Sequence, residues 1–197
     1  PVADYLYGAG RLKASANKDI IFINGAEAPH YAIDNLVSEH VFEPERTRVG
    51  AWRGIGAGYT KFAIESVIDE IAHERKMDPV AFRLSIIANP RACKAVEKAA
   101  EMAEWTRKRE GRALGIALAE YNASIAVGVA EISLDRASGR IRVHNYWVSV
   151  DAGLPLQPGN IAAQVEGGIV FGLSAALKER ITVANGAPQQ SNFHDYD

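Results

Sequence analysis

The 197-residue sequence contains a single cysteine, Cys93. One thiol excludes an internal disulfide and a cysteine-ligated iron–sulfur cluster held by this chain alone. The plain reading of Cys93 is a small buried apolar residue. An excess of either charge is also lacking, since 22 Lys and Arg against 24 Asp and Glu leave a net charge of −2. That balance argues against a general nucleic-acid or membrane-surface binder. No apolar run reads as long enough to span a membrane. His30, His40, His73, His144 and His194 form no HExxH and no i,i+4 pair, so spacing gives zinc no support and no metal ligand is assigned. Each histidine reads as a surface or hydrogen-bonded structural residue. A G-x-S-x-G elbow and a Walker lysine motif are absent as well.

What is present is an ordinary globular composition, 48% hydrophobic and 23% charged, enough for one substantial domain or two small ones. "DIIFING" (residues 19–25) and "YAIDNLVSEHVFE" (residues 31–43) read as strands, rich in β-branched and aromatic residues and bounded by turn formers. From about Tyr59 to Met77 the period becomes helical. Phe62, Ile64, Val67, Ile68, Ile71 and Ala72 form its apolar stripe, with Lys61, Glu65, Asp69 and Glu70 largely on the solvated side. Two further helices start at Asp78-Pro79 and Asn89-Pro90, each a capping residue followed by proline at the first helical position. "TRKREGR" (residues 106–112) reads as a solvated charged connector. Beyond it come strands, the last two joined through "RASG", then a helix from about Ile161 to Lys178 and a strand ending in an Asn-Gly turn. The expected fold class is α+β, with mixed sheets and packed helices. The expected division is 1–105, the connector 106–112, and 113–197. The start at Pro1 and the close on "QQSNFHDYD" lead us to expect a piece of a larger polypeptide.

Two places invite chemistry. In "RVGAWRGIGAGYTKFAIESVIDE" (residues 48–70), Gly54, Gly56 and Gly58 precede an amphipathic helix. Glycines permit left-handed backbone and close approach, and a helix start offers unpaired N–H groups and a positive dipole end. Together they could seat an anion or polar cofactor. On spacing alone, a tight strand-to-helix turn is the reading these residues favour. The triplet fails as a dinucleotide fingerprint, because Tyr59 stands where the third glycine belongs and a long helix continues where a second strand should close. Elsewhere, Gly167, Gly168 and Gly172 sit in one helix, each costing up to ~1 kcal/mol against alanine, which suggests close approach to its backbone. Glu166 in that helix needs a partner if it is buried. Asp151, between strand and loop, fits a functional residue and a turn former equally.

Three blocks taken together resemble the molybdenum-binding subunit of the xanthine dehydrogenase and aldehyde oxidase family. The first is Tyr31 to Asn35 followed by "AWRGIGAGYTKFAIESVIDEIA". The second is "MDPVAFRL", similar to the family's Asp-Pro-x-x-x-Arg. The third is "DAGLPLQPGNIAAQVEGGIVFGLSAALKE", similar to D-x-G-x-x-x-N-P followed by Q-x-E-G and G-L-x-x-x-L. "QQSNFHDYD" is similar to a segment that usually follows. The branch most resembled is the isoquinoline 1-oxidoreductase β-subunit type.

The resemblance implies a part of the molybdenum-binding domain of a molybdenum hydroxylase, acting on N-heterocycles or aldehydes with water as oxygen donor. Trp52, Arg53 and Gly54 become cofactor-loop residues, and Gln164 matches the Q-x-E-G glutamine near the cofactor. The implied cofactor is molybdopterin, in its cytosine dinucleotide form, bound in the intact enzyme and not by this chain alone. The implied partners are an iron–sulfur subunit, the remainder of the molybdenum subunit and a small-molecule substrate, in the cytoplasm or periplasm. Gln157-Pro158 departs from the family's Asn-Pro. The glycine-rich GGGFG-type segment and the later Gly-x-Gly-Glu segment are missing from this sequence. The catalytic base is therefore expected outside this chain, and the isolated chain is expected to be inactive. Two rivals stand beside this reading: a non-catalytic structural or interaction domain on the same scaffold, and a small dinucleotide-binding domain.

Overall fold

A computed structural model of the protein describes residues 25–26, 30–39 and 52–196. The described residues divide into two compact units, one reaching to residue 152 and the other running from residue 153 onward. The break does not fall at the charged connector. A helix before residues 106–112 packs on the strands after them, within one unit.

In the larger unit, helices α1 (Ala57–Glu74), α2 (Pro79–Ile86) and α3 (Pro90–Met102) precede an antiparallel sheet of β1 (Ala113–Tyr121), β2 (Ser124–Leu134) and β3 (Ile141–Asp151), in that order. Asp78 caps α2 by accepting from the amides of Val80 (2.9 Å) and Ala81 (3.0 Å), and its other oxygen accepts from Trp105 Nε1 at 2.7 Å. Asn89 caps α3 through the Arg91 amide. Helices α1 and α3 end alike. Lys76 (φ 55) and Glu104 (φ 46) turn left-handed, while the next residue's amide reaches five residues back, from Met77 to Ala72 and from Trp105 to Ala100.

Strands β1 and β2 join through Asn122 and Ala123, both at positive φ, the conformation a two-residue hairpin turn requires. The "RASG" hairpin follows, with Asp135 accepting from the Ala137 amide and the Ser138 hydroxyl. Register shifts at Glu131/Ile132, so His144 is the extra residue of a β3 bulge. Its Nε2 lies 2.8 Å from Ser133 Oγ.

The core lies between helices and sheet. Ala92, Ala95, Ala99 and Ala103 line the buried side of α3, small enough to let it approach Val127 and Val129 of β2. Ile68 and Ala72 of α1, Val80 and Phe82 of α2, and Ile116 and Leu118 of β1 complete it.

The smaller unit carries α4 (Pro158–Leu177) and a short hairpin, β4 (Val183–Ala184) with β5 (Ala187–Pro188), turned by Asn185 and Gly186 at positive φ. Asp195 accepts from the amides of Ser191 and Asn192, and Tyr196 donates to Glu179 Oε2 at 2.7 Å. These bonds fold the closing polar-aromatic segment back on itself.

Helices with antiparallel sheets make an α+β protein, and every pairing among the described residues is antiparallel rather than mixed. Three sequence expectations change, and one lies outside the described residues. Of residues 31–43 as a strand, the described part gives only a bridge from Tyr31 to Ile87, because residues 32–39 are exposed and have no partner strand among the described residues. The proposed strand at residues 19–25 lies outside the described residues except for Gly25, a turn. The buried face of α1 is Lys61, Glu65, Ile68 and Ala72, while Phe62 is 76% exposed and Val67 also faces outward. Finally, α4 has 20 residues, with an 18-residue window of mean hydropathy 1.2, so by length and composition it could cross a membrane, against the expectation that no run could. The glycines spread through it hide that apolar length from a reading by runs.

Candidate functional site

The Trp52–Gly56 segment is a succession of tight turns winding into α1. Ile55 N donates to Trp52 O (2.9 Å), Ala57 N to Gly54 O (3.0 Å) and Gly58 N to Ile55 O (3.3 Å). Gly54 sits at φ +96 and Ile55 at φ 43. Gly56, the residue before the helix, has φ −60 and helical backbone, so only Gly54 of the three glycines uses a left-handed angle. The helix start is also less open than its sequence suggests. The Ala57 and Gly58 amides are engaged in the turns, whereas those of Gly54 and Gly56 donate to nothing among the described residues.

Trp52, Arg53 and Gly54 lie together on the exposed side of this turn. A Cβ on Gly54 would meet only Gly58 N, at 3.9 Å, and one on Gly58 would meet nothing within 4 Å. The space in front of Gly54 is open, whereas Gly56 is buried. Molybdopterin presents phosphate and ring heteroatoms to its protein, and an open glycine turn with the exposed Gly54 amide fits such a group.

Gln164 is on α4, in the other unit, and is exposed with Glu166 beside it. No group of three His, Cys, Asp or Glu side chains among the described residues could hold a metal ion. Asp151 is engaged by Arg91, with Nε at 2.8 Å from one oxygen and Nη2 at 2.7 Å from the other. This ties the end of β3 to the start of α3, and Asp151 is thereby a structural anion rather than a simple turn former.

The sequence reading misses a buried polar cluster farther along α1. Arg83 is 0% exposed. Its Nε and Nη2 donate to Glu65 Oε2 at 3.0 and 2.9 Å, and its Nη1 donates to Asp69. The same Glu65 oxygen accepts from the Leu118 amide (2.9 Å), and its other oxygen accepts from the Tyr31 hydroxyl (2.7 Å). One carboxylate thus joins α1, α2, β1 and the segment at Tyr31. Burial first, then the adjacent Glu65 charge, holds the Tyr31 hydroxyl protonated. For Arg83 burial opposes the charge, but Glu65 and Asp69 more than offset it and its pKa rises. Lys61, 8% exposed, goes the other way: burial lowers its pKa against the pull of Glu65 and Glu120. Nearby, buried His30 has Nε2 2.8 Å from Glu120 Oε2, out of hydrogen-bond alignment, with Nδ1 3.3 Å from Asn89 Nδ2. Sequence holds one signal for this cluster: Lys61, Glu65, Ile68 and Ala72 recur at helical spacing, and Arg83 closes the Asp-Pro-x-x-x-Arg block.

The charged connector is likewise not a free linker. Arg109 reaches Glu131 (3.0 Å) and the Ala103 carbonyl, and lies 5.9 Å over the Trp147 ring. Arg112 and Asn145 complete the ring around Glu131, which is 3% exposed. The Asn145 bond is the main reason that the Glu131 pKa falls, with Arg112 and Arg109 adding to it against burial. A cavity of about 390 Å³ lies between connector and sheet, lined by these residues with Arg107, Lys108 and Glu110.

The described residues thus place an open glycine turn ahead of a helix whose middle carries a buried carboxylate–guanidinium cluster. The chain matches the molybdopterin cofactor-binding domain in two parts, residues 13–86 and 91–197. It belongs to that family, that of the molybdenum-binding subunits of xanthine dehydrogenase and aldehyde oxidase relatives. It is 45% identical to the beta chain of isoquinoline 1-oxidoreductase from Brevundimonas diminuta, over 73% of this chain and 19% of that one. It is 34% identical to one of the subunits of nicotinate dehydrogenase from Pseudomonas putida, over 76% and 14%. A membrane-bound aldehyde dehydrogenase of Gluconacetobacter polyoxogenes, whose name carries pyrroloquinoline quinone, is 28% identical over 84% and 23%. The chain spans about a fifth of the length of these relatives.

Proposed function

We propose that this chain forms part of the molybdopterin wall in the large subunit of a molybdenum hydroxylase, with Trp52, Arg53 and Gly54 facing the cofactor and Gln164 near it. The observation carrying this reading is the Gly54 turn: φ +96, open space in front and an amide uncommitted among the described residues. When bound, the cofactor supplies the two-electron oxidation that places an oxygen from water on the substrate carbon. This chain's residues hold and orient it. The amide of Gly54 would donate to its oxygens, the left-handed turn would let the backbone come close, and Arg53 would add a cation for an anionic group. The cofactor is expected in its cytosine dinucleotide form, with electrons passing to an iron–sulfur partner subunit. The substrates expected are N-heterocycles or aldehydes, in line with the names of two relatives on one side and one on the other. The proton acceptor for water belongs to a segment outside this chain, since Glu166 is exposed on α4 and has no base-like surroundings. The 197-residue chain alone should therefore hold no stoichiometric molybdenum and turn nothing over. Near-equimolar metal with dye-linked turnover in that chain would overturn this.

The test of the turn is Gly54→Val in the intact subunit, produced with its partners. A β-branched residue at φ +96 costs ~1–3 kcal/mol and moves the backbone away from the cofactor. Molybdenum and pterin per protein should fall several-fold, with the thermal midpoint followed in parallel. Glu70→Ala is the exposed comparison on α1 and should keep its metal. Full metal content and normal turnover in Gly54→Val would make the turn purely structural. Quinone in place of pterin in the purified enzyme would point instead to the chemistry named for the Gluconacetobacter relative.

A further inference from the structure

The Gly25–Ala26 turn lies against the first turn of α1. A Cβ on Gly25 would stand 2.6 Å from Thr60 Oγ1, 2.9 Å from Ala57 Cα and 3.1 Å from Ala57 Cβ. The threonine hydroxyl could rotate away, but Ala57 Cα is backbone and cannot. Gly25 also sits at φ +82, where an L side chain is strained. Handedness and space therefore each select glycine at this position. On the far side of the turn, Ser38 Oγ donates to the Ala26 carbonyl at 3.0 Å.

The two residues that Gly25 touches are the ones that fasten the Trp52–Gly56 turn to the helix. Ala57 N donates to Gly54 O at 3.0 Å, and Thr60 donates to Gly56 O from its amide (3.0 Å) and its hydroxyl (2.8 Å). Anything that pushes Ala57 outward therefore pulls on the carbonyls of Gly54 and Gly56. We propose that Gly25 is a positioning residue for the cofactor turn, setting the place of Ala57 and through it that of Gly54. The proposal rests on the reading of Gly54 as cofactor-facing.

The experiment compares Gly25→Ala with Gly139→Ala in the intact subunit produced with its partners. Gly139 has a similar φ of +70 in the β2–β3 hairpin, and a Cβ there would meet nothing within 4 Å. The comparison residue thus carries the backbone strain without the collision. Should Gly25→Ala fail to accumulate, Gly25→Asn brings the same Cβ with less strain, because asparagine tolerates left-handed angles. The readouts are molybdenum and pterin per folded protein, the thermal midpoint, and amide exchange in the first turn of α1. We expect the Gly25 variant to lose cofactor several-fold and to exchange faster at residues 57–60, while Gly139→Ala keeps its cofactor at a comparable drop in midpoint. Cofactor content in the Gly25 variant equal to that of Gly139→Ala overturns the proposal. If Gly54→Val loses its molybdenum in the same series, the cofactor reading survives that failure. If Gly54→Val keeps it, the reading itself has failed.

Discussion

Arg83 is enclosed by two carboxylates, two backbone carbonyls and the packing of α1 against α2. A guanidinium taken out of water is tolerable only because its donors are matched, and the match depends on Glu65 being held in turn by Tyr31 and Leu118. Removing one partner leaves the other charge buried and alone. Arg83→Met should therefore destabilise the chain by about 3–5 kcal/mol, read as a lower denaturant midpoint. The double variant Arg83→Met with Glu65→Leu should recover part of that loss. No recovery would mean that the cluster contributes through the Tyr31 and Leu118 hydrogen bonds rather than through the ion pair. The pair also explains why the buried face of α1 differs from the one its pattern suggests. Its apolar residues run almost all the way round, so hydrophobicity alone does not choose between the side with Phe62 and Val67 and the side with Ile68 and Ala72. What decides it is a charge on a different helix, which no local pattern contains. Lys61, read from the sequence as solvated, lies on this buried side as well.

At the scale of elements, local chemistry writes the boundaries clearly. The Asp78-Pro79 and Asn89-Pro90 pairs start α2 and α3 where the sequence places them, and the "RASG" and Asn-Gly turns stand where expected. The failures are non-local. Residues 31–39 have a strand's composition, but beyond the bridge at Tyr31 they pair with no strand among the described residues, and composition cannot supply one. The connector reads as solvated because its partner, Glu131, lies across a hairpin in the sheet. Of the site, the Trp52–Gly54 turn is legible as a glycine turn before a helix, whereas the Gly25 contact depends on packing from a distant segment. The helix ends offer a direct check. Lys76 holds a left-handed angle that glycine adopts without strain, so Lys76→Gly should raise stability, by up to ~1 kcal/mol. A thermal midpoint unchanged or lowered would show that the Lys76 side chain contributes more than its backbone strain removes.

For the molecule as a whole, acid is the condition that tests how its polar ties are distributed. Glu104, Glu131, Asp135 and Asp195 all have folded pKa values below their ordinary ones. The leading cause is a hydrogen bond: from Arg107 to Glu104, from Asn145 to Glu131, from Ser138 to Asp135, and from the Asn192 backbone to Asp195. A carboxylate whose pKa is depressed on folding binds fewer protons folded than unfolded. Its stabilising contribution is complete above the unfolded value, near 4.5 for Glu and 3.8 for Asp, and disappears as pH falls through the lower folded value. Stability should thus hold near neutral pH and decline below about pH 4.5. The larger unit holds three of these groups and the smaller unit holds Asp195. Among them Glu131 joins the connector to the sheet, so Glu131→Gln should flatten part of the acid-induced decline while lowering stability near neutral pH. Denaturation followed from about pH 3 to about pH 7 checks this, with Asp195→Asn as the comparison in the smaller unit. An acid profile for Glu131→Gln parallel to that of the unaltered chain would mean that its carboxylate is protonated alike in the folded and unfolded states. The connector would then be held by Arg109 against Trp147 and the Ala103 carbonyl, not by charge.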